Sequence, residues 1–125
     1  MAQRLGLCLT PTEVKLNALG DLSVGSSNFT TSLKVILRSK KEFLQIQAYV
    51  IRNLGIILPS TIIEKRIIPH LNDLDLADPN FNVPGTVDVL FSAGVLAQIL
   101  LDGLRKDSSK FFTAQNTKLG WIVMG

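Results

Sequence analysis

The sequence predicts a mainly β fold with one or two short helices, and the main reason is its alternating hydrophobicity. Polar and apolar residues alternate from Thr12 to Ala18, as in a half-buried strand. After a glycine-bounded turn, the odd-numbered positions from Phe29 to Leu37 hold Phe, Thr, Leu, Val and Leu, which share one face of a second strand. Arg38 to Lys41 then forms a polar turn, and Phe43 to Ile51 is the returning strand of a hairpin.

The middle of the chain is predicted to be irregular. Proline interrupts it at positions 59 and 69. Leu71, Leu74 and Leu76 have the spacing of one short helical turn, which Asp78-Pro79 would end. Asn82 to Thr86 is predicted to be a turn.

The last part of the chain alternates between short strands and one helix. Val87 to Phe91 is apolar throughout except for Asp88, which predicts a strand buried on both faces. Val95 to Leu101 has nearly helical spacing. Three further segments are predicted to be strands, the first two flanking a polar turn at 107–110: Leu104 to Lys106, Phe111 to Ala114, and Leu119 to Val123.

The length and composition of the chain limit the number of domains and indicate how apolar the surface is. The chain has 125 residues, which is the size of one domain. Its hydrophobic fraction is 46% and its mean hydropathy is +0.31, but no apolar run reaches the roughly 18 to 20 residues that a membrane helix requires. The apolar excess indicates either surface that a second copy, a partner or further chain covers, or an unusually apolar core.

The net charge and the cysteine content of the chain indicate its expected partners and its cellular compartment. The net charge of +3 is spread over short basic groups that aromatic residues do not interleave, so nucleic acid is not an expected partner. Cys8 is the only cysteine, which excludes an internal disulfide, and the first ten residues have no continuous apolar segment. A cytoplasmic protein without membrane partners is therefore expected.

No cofactor or metal is predicted. Asp73, Asp75 and Asp78 resemble part of a calcium loop, but a loop starting at Asp73 would need Gly at its sixth position and Glu at its twelfth, where this chain has Asp and Pro. His70 has no second histidine and no nearby cysteine to form a zinc site. A nucleophilic pair of His70 with Cys8 has no support in the local sequence.

Three segments together carry a resemblance to a known family. They are Leu76-Ala77-Asp78-Pro79-Asn80-Phe81, Val87-Asp88-Val89-Leu90 and Ala114-Gln115-Asn116-Thr117-Lys118-Leu119-Gly120-Trp121-Ile122-Val123. With them, the chain resembles the aspartic peptidase domain of Pao/BEL-type retrotransposon polyproteins, from Arg4 to Gly125 and most clearly from Leu76 onward. The resemblance implies a retropepsin-like acid-protease β-barrel over residues 1–125. This single domain is expected to be truncated at its N-terminus, without the first strand and the catalytic loop.

The chemistry of that family requires residues that this chain does not have. Two aspartates, one from each subunit of a dimer, share a proton and activate water, and each lies in an Asp-Ser-Gly or Asp-Thr-Gly loop. Neither triplet occurs in the 125 residues. Asp107-Ser108-Ser109 lacks the glycine, and Asp102-Gly103 lacks the hydroxyl residue. The sequence therefore predicts no catalytic residue and an inactive peptidase-like domain.

Two alternatives accompany that expectation. One is a domesticated, non-catalytic protein-interaction module that dimerises. The other is the truncated record of an active, polyprotein-processing aspartic endopeptidase. The resemblance implies a homodimer, and peptide or polyprotein segments as ligands.

The resemblance also implies roles for particular residues. The residues at the position of a peptide-covering flap are Leu19, Gly20, Asp21 and Leu22. The candidate structural residues are Asp88, Ser92, Gly94, Gly120 and Trp121. Ser92 stands where the family usually has glycine, and Gly94 where it has aspartate. If that glycine position needs a positive φ, Ser92 costs about a kcal/mol or more. Trp121 is expected in or near the core.

Overall fold

The computed structural model describes residues 5–17, 23–52, 54–107 and 111–125, with only the backbone described at 13–17 and 23–28. The described residues fall into two compact units, Met1–Gly55 and Ile56–Gly125. The fold is mainly β, as the sequence predicted, and the described strands form three antiparallel sheets. Closure into a barrel and organisation as a single domain stay predictions.

The first unit is a three-stranded antiparallel sheet in the order β1-β2-β3. Its strands are β1 (Thr10–Asn17), β2 (Ser23–Ile36) and β3 (Phe43–Val50). The register of β2 with β3 is unbroken from Phe29↔Val50 to Ile36↔Phe43. All three strands were predicted, because each has an alternating segment and the hairpin between β2 and β3 is local in sequence. Strand β2 begins earlier than predicted, since Ser23 and Gly25 belong to the strand rather than to the glycine-bounded turn.

Burial follows the predicted period of two in β2. Thr31 and Leu37, which directly follows the strand, are buried, whereas Ser32, Lys34 and Ile36 are exposed. The Oγ1 of Thr31 donates a hydrogen bond to the carbonyl oxygen of Cys8 at 2.8 Å, which ties the segment before β1 to the same sheet.

The second unit combines short strands, two 3₁₀ turns and one helix. Its strands are β4 (Ile57–Leu58), β5 (Gly85–Thr86), β6 (Leu100–Lys106), β7 (Thr113–Thr117) and β8 (Ile122–Met124). The 3₁₀ turns span Lys65–Ile67 and Pro69–Leu71, and helix α1 spans Ala93–Ile99. Strand β4 pairs with β5, and the other three form an antiparallel sheet in the order β6-β7-β8. In the described part of the chain, no helix has the length and apolar character needed to cross a membrane.

Helix α1 confirms the helical spacing seen in the sequence, although its end lies earlier than predicted. The Oγ of Ser92 accepts a hydrogen bond from the backbone N–H of Val95 at 3.4 Å, as an N-cap residue does. Leu100 has extended backbone angles and begins β6, so Leu100 and Leu101 are strand residues rather than helical ones.

The predicted buried strand from Val87 to Phe91 is wrong. Residues 87–91 are irregular, and Val89, Leu90 and Phe91 are 37%, 58% and 40% exposed. The physical reason is the lack of a sheet neighbour, because β4 pairs only with Gly85–Thr86, inside the segment predicted to be a turn. An apolar run forms a buried strand only where other strands flank it.

The core of the second unit lies between its 3₁₀ turns and the β6-β7-β8 sheet. Ile68, Leu71 and Ala114 are buried at its centre. The half-buried residues packed against them are Ile63, Leu74, Phe81, Phe112, Trp121 and Val123. The predicted position of Trp121 in or near the core is confirmed. The helical turn predicted through Leu71, Leu74 and Leu76 is wrong in position. The second 3₁₀ turn ends at Leu71, where the predicted turn begins, and Leu76 forms a bridge to Trp121 instead.

Candidate functional site

A backbone junction joins Trp121 to the segment around Leu76. The backbone N–H of Trp121 donates to the carbonyl oxygen of Asp75, and that of Ala77 donates to the carbonyl oxygen of Trp121, each at 2.9 Å. Leu76 and Trp121 form a parallel bridge. Two of the three segments that carried the family resemblance therefore meet in space.

Gly120 lies where the junction has no room for a side chain. Its φ is +114°, and a Cβ atom there would lie 2.9 Å from the backbone nitrogen of Ala77 and 3.0 Å from the carbonyl oxygen of Asp75. Thr117 closes the turn, because its Oγ1 donates to the carbonyl oxygen of Gly120 at 2.6 Å. The structural role inferred for Gly120 thus has a geometric basis in both conformation and space.

Trp121 also packs against strand β6. A Cβ atom on Gly103 would lie 3.1 Å from the Cη2 atom of Trp121, so the indole occupies the space over this glycine. The guanidinium carbon of Arg105 lies 6.0 Å from the centroid of the indole ring, at the outer limit of a cation–π contact. The sequence analysis assigned no role to either residue, although a glycine inside a strand signals close approach of another group.

Arg105 is held by an ion pair. Its Nη1 donates to both carboxylate oxygens of Asp73, at 2.7 and 2.8 Å, and to the carbonyl oxygen of His70 at 3.4 Å. The hydrogen bond from Arg105 is the largest cause that lowers the pKa of Asp73 below its usual value. Asp73 therefore holds the basic side chain of Arg105 in place.

His70 and Asp107 form a second polar pair. The Nδ1 of His70 lies 4.0 Å from the Oδ2 of Asp107, and both side chains are largely buried, at 15% and 25% exposure. Among the described residues, neither ring nitrogen of His70 has a hydrogen-bond partner. Asp107 begins the triplet nearest to a catalytic loop, whereas Ser108 and Ser109 lie outside the described residues. An imidazole beside one carboxylate does not reproduce a pair of aspartates that shares a proton.

The remaining candidate residues are placed as follows. The flap candidates Leu19, Gly20, Asp21 and Leu22 lie outside the described residues. Ser92 has φ −71°, so the strain expected for a positive φ does not arise at this position. Gly94 lies in the first turn of α1, and Asp88 is exposed in the irregular segment before it.

An open groove of about 680 Å³ lies beside the paired strands β4 and β5. Its lining residues are Leu58, Pro59, Ile63, Asp78, Asn80, Phe81, Val83, Pro84, Gly85, Thr86, Val87, Phe112, Val123 and Gly125. Asp78 is the charged member of this mainly apolar set, and its Oδ1 accepts a hydrogen bond from the backbone N–H of Asn80 at 2.8 Å. The groove can hold apolar side chains, but its described lining has no second acidic side chain to pair with Asp78 for hydrolysis.

In the described ranges, no three His, Cys, Asp or Glu side chains are grouped closely enough to bind a metal ion.

No family model, curated protein or solved structure matches this chain. The Pao/BEL resemblance therefore remains an inference from the sequence.

We expect Gly120→Ala to destabilise the protein by about 2–5 kcal/mol, because it adds both backbone strain and a clash with the Ala77 backbone. Gly55→Ala is the matched control. Gly55 also has a positive φ, of +65°, but a Cβ atom there would meet nothing within 4 Å. The control should lose only about 1 kcal/mol. Urea unfolding followed by Trp121 fluorescence measures both, and equal losses would contradict the close approach to Ala77.

The Asp73–Arg105 pair should make stability depend on pH. Because the pKa of Asp73 is lowered in the folded state, its contribution is present above the usual aspartate pKa of about 4 and is lost as the pH falls through the lowered value. Asp73→Asn should therefore be less stable than the unmodified protein near pH 7 and converge with it near pH 2. Unfolding curves at both pH values measure this, with Asp88→Asn as the exposed control. A difference that persists at low pH would show that the ion pair is not its source.

Proposed function

We propose that this chain is a retropepsin-like, Pao/BEL-type aspartic peptidase domain that does not hydrolyse peptides by itself. The observation that carries the proposal is the absence of an Asp-Ser-Gly or Asp-Thr-Gly triplet from its 125 residues. The mainly β fold is compatible with the retropepsin-like barrel that the proposal includes. The meeting of Leu76 with Trp121 adds support, because it gives the residues of the resemblance a shared structural role.

The described aspartates support a non-catalytic role. Asp73 holds Arg105, Asp78 accepts from the backbone of its own turn, and Asp107 lies beside His70. Hydrolysis of the aspartic peptidase type depends on one carboxylate raising the pKa of another. Arginine has the opposite effect on a carboxylate: it lowers the pKa, as at Asp73, because it stabilises the charged form.

A second candidate function is self-association, as a domesticated dimerisation module. The observation that favours it is the apolar surface of β6, where Leu100, Leu101 and Leu104 are 44%, 42% and 54% exposed. Clustered exposed leucines on an edge strand are a common feature of surfaces that another chain covers. Closed homodimers are the most frequent soluble oligomers, so a second copy is the simplest partner.

The first proposal predicts that the purified chain leaves peptides intact. We expect no cleavage of a mixed peptide library at acidic or neutral pH, because a water-activating pair of carboxylates is absent. Mass spectrometry of the library measures this, with pepsin as the positive control. Cleavage that pepstatin blocks would overturn the proposal. An in-frame Asp-Ser-Gly encoded directly upstream of Met1 would favour the remaining alternative, an active enzyme in a truncated record.

The second candidate predicts a discrete dimer. Multi-angle light scattering over a range of concentrations should give twice the chain mass of 13.7 kDa, with a reversible shift toward monomer on dilution. A monomer at all concentrations would contradict self-association. A polydisperse aggregate would also contradict it, because it indicates non-specific contact between apolar surfaces.

A further inference from the structure

We propose that the end of the β2–β3 hairpin is a contact site for an anionic lipid bilayer. This site, the hairpin tip, consists of Lys34, Ile36, Lys40, Lys41 and Phe43. It lies within the first unit and depends neither on the peptidase resemblance nor on self-association. The expectation of no membrane partner rested on the length of apolar runs, which tests for a spanning helix and not for contact with lipid headgroups.

The structure places two exposed apolar side chains opposite each other at the hairpin tip. Ile36 and Phe43 are the last register partners of β2 and β3 before the turn. They are 66% and 53% exposed. Opposite residues of an antiparallel pair have Cβ atoms about 5 Å apart, so the two side chains form one apolar patch.

Lys34 borders this patch with a positive charge. It precedes Ile36 by two positions on the same strand face, and its Nζ lies 4.3 Å from the centroid of the Phe43 ring. The lysine side chain covers one face of the ring while its ammonium group stays at the surface. That face of the ring is not open for stacking on a nucleic-acid base, the usual contact of exposed aromatic residues with single strands.

Lys40 has a backbone conformation that favours a different residue type. Its φ is +55°, in the left-handed region that glycine and asparagine occupy more readily. Its backbone N–H donates to the carbonyl oxygen of Leu37 at 2.9 Å, so the turn is formed by backbone groups. Turn geometry therefore does not account for a lysine at this position, whereas a use for its charge does.

Positive charge is concentrated around the hairpin tip. Residues 1–55 contain seven Lys and Arg against three Asp and Glu, whereas residues 56–125 contain six against seven. Four of the first seven lie between positions 34 and 41. An aliphatic and an aromatic side chain bordered by lysines match the interfacial layer of an anionic bilayer, where apolar groups enter below the negative headgroups. This charge complementarity commits the hairpin tip to anionic lipid.

Charge reversal tests the electrostatic part. We expect the unmodified protein to float with vesicles of equal parts phosphatidylserine and phosphatidylcholine in a density gradient, but not with phosphatidylcholine alone. The double variant Lys40→Glu/Lys41→Glu should lower the partition coefficient by about twentyfold or more, because each basic residue near the surface contributes about fivefold. Lys65→Glu/Lys106→Glu changes the net charge equally at exposed residues of the second unit, and is the matched control.

The apolar part has its own pair of variants. Ile36→Ser should weaken flotation by about tenfold, because it removes an aliphatic side chain that enters the headgroup layer. Tyr49→Ser removes a 54% exposed side chain from β3, about 20 Å along the strand from Phe43, and should bind as the unmodified protein does. Circular dichroism of each variant checks that the sheet is intact. Equal losses from both variants would overturn insertion through the hairpin tip.

The remaining outcomes also decide the inference. Absence of flotation with anionic vesicles would overturn it and leave the proposed function standing. Equal losses from the two charge variants would assign binding to net charge and not to the hairpin tip. Binding of a single-stranded oligonucleotide that Lys40→Glu/Lys41→Glu abolishes, without flotation, would assign the hairpin tip to nucleic acid instead.

Discussion

The second unit depends on the exchange of backbone hydrogen bonds between Trp121 and the segment Asp75–Ala77. This exchange fixes the last hairpin of the chain to a segment that has no regular structure of its own. It requires glycine at position 120, since a side chain there would enter the Ala77 backbone. With the junction formed, the indole reaches the core around Ile68 and Leu71. An irregular segment thereby gains a defined position from two hydrogen bonds and one aromatic side chain.

The two units differ in how far local sequence determines them. In the first unit, each strand has an alternating segment and pairs with a strand next to it in sequence, so period and turn predict the sheet. They do not predict the first residues of β2, which have no such alternation. In the second unit, pairing depends on distant residues. Strand β4 meets β5 across 26 intervening positions of mostly irregular chain, and only two residue pairs form. Among the described residues, no further strand lies beside the apolar segment after β5, and nothing in the local sequence of that segment reveals this.

The candidate site shows the same division between local and distant causes. Gly120 and Trp121 could be assigned structural roles from a motif, because both lie in one short run of residues. The contact of Arg105 with Asp73 joins residues 32 positions apart and has no local signal.

Ser92 shows a different reason why the sequence alone does not determine the structure of the site. The sequence predicted that serine in place of the usual glycine would strain the backbone. The backbone at Ser92 accepts serine, because φ is negative there and the serine hydroxyl caps helix α1. The proposed resemblance drew attention to the position, but only the backbone angles determine the consequence.

The exposed edges of the two larger sheets have different chemistry, and this difference bears on association. On the exposed face of β3, Gln45 and Gln47 separate the aromatic residues Phe43 and Tyr49, and basic residues occupy the adjoining hairpin turn. Polar and basic groups of this kind discourage pairing with another chain. Strand β6 instead exposes Leu100, Leu101 and Leu104, which is apolar surface of the kind that another chain often covers.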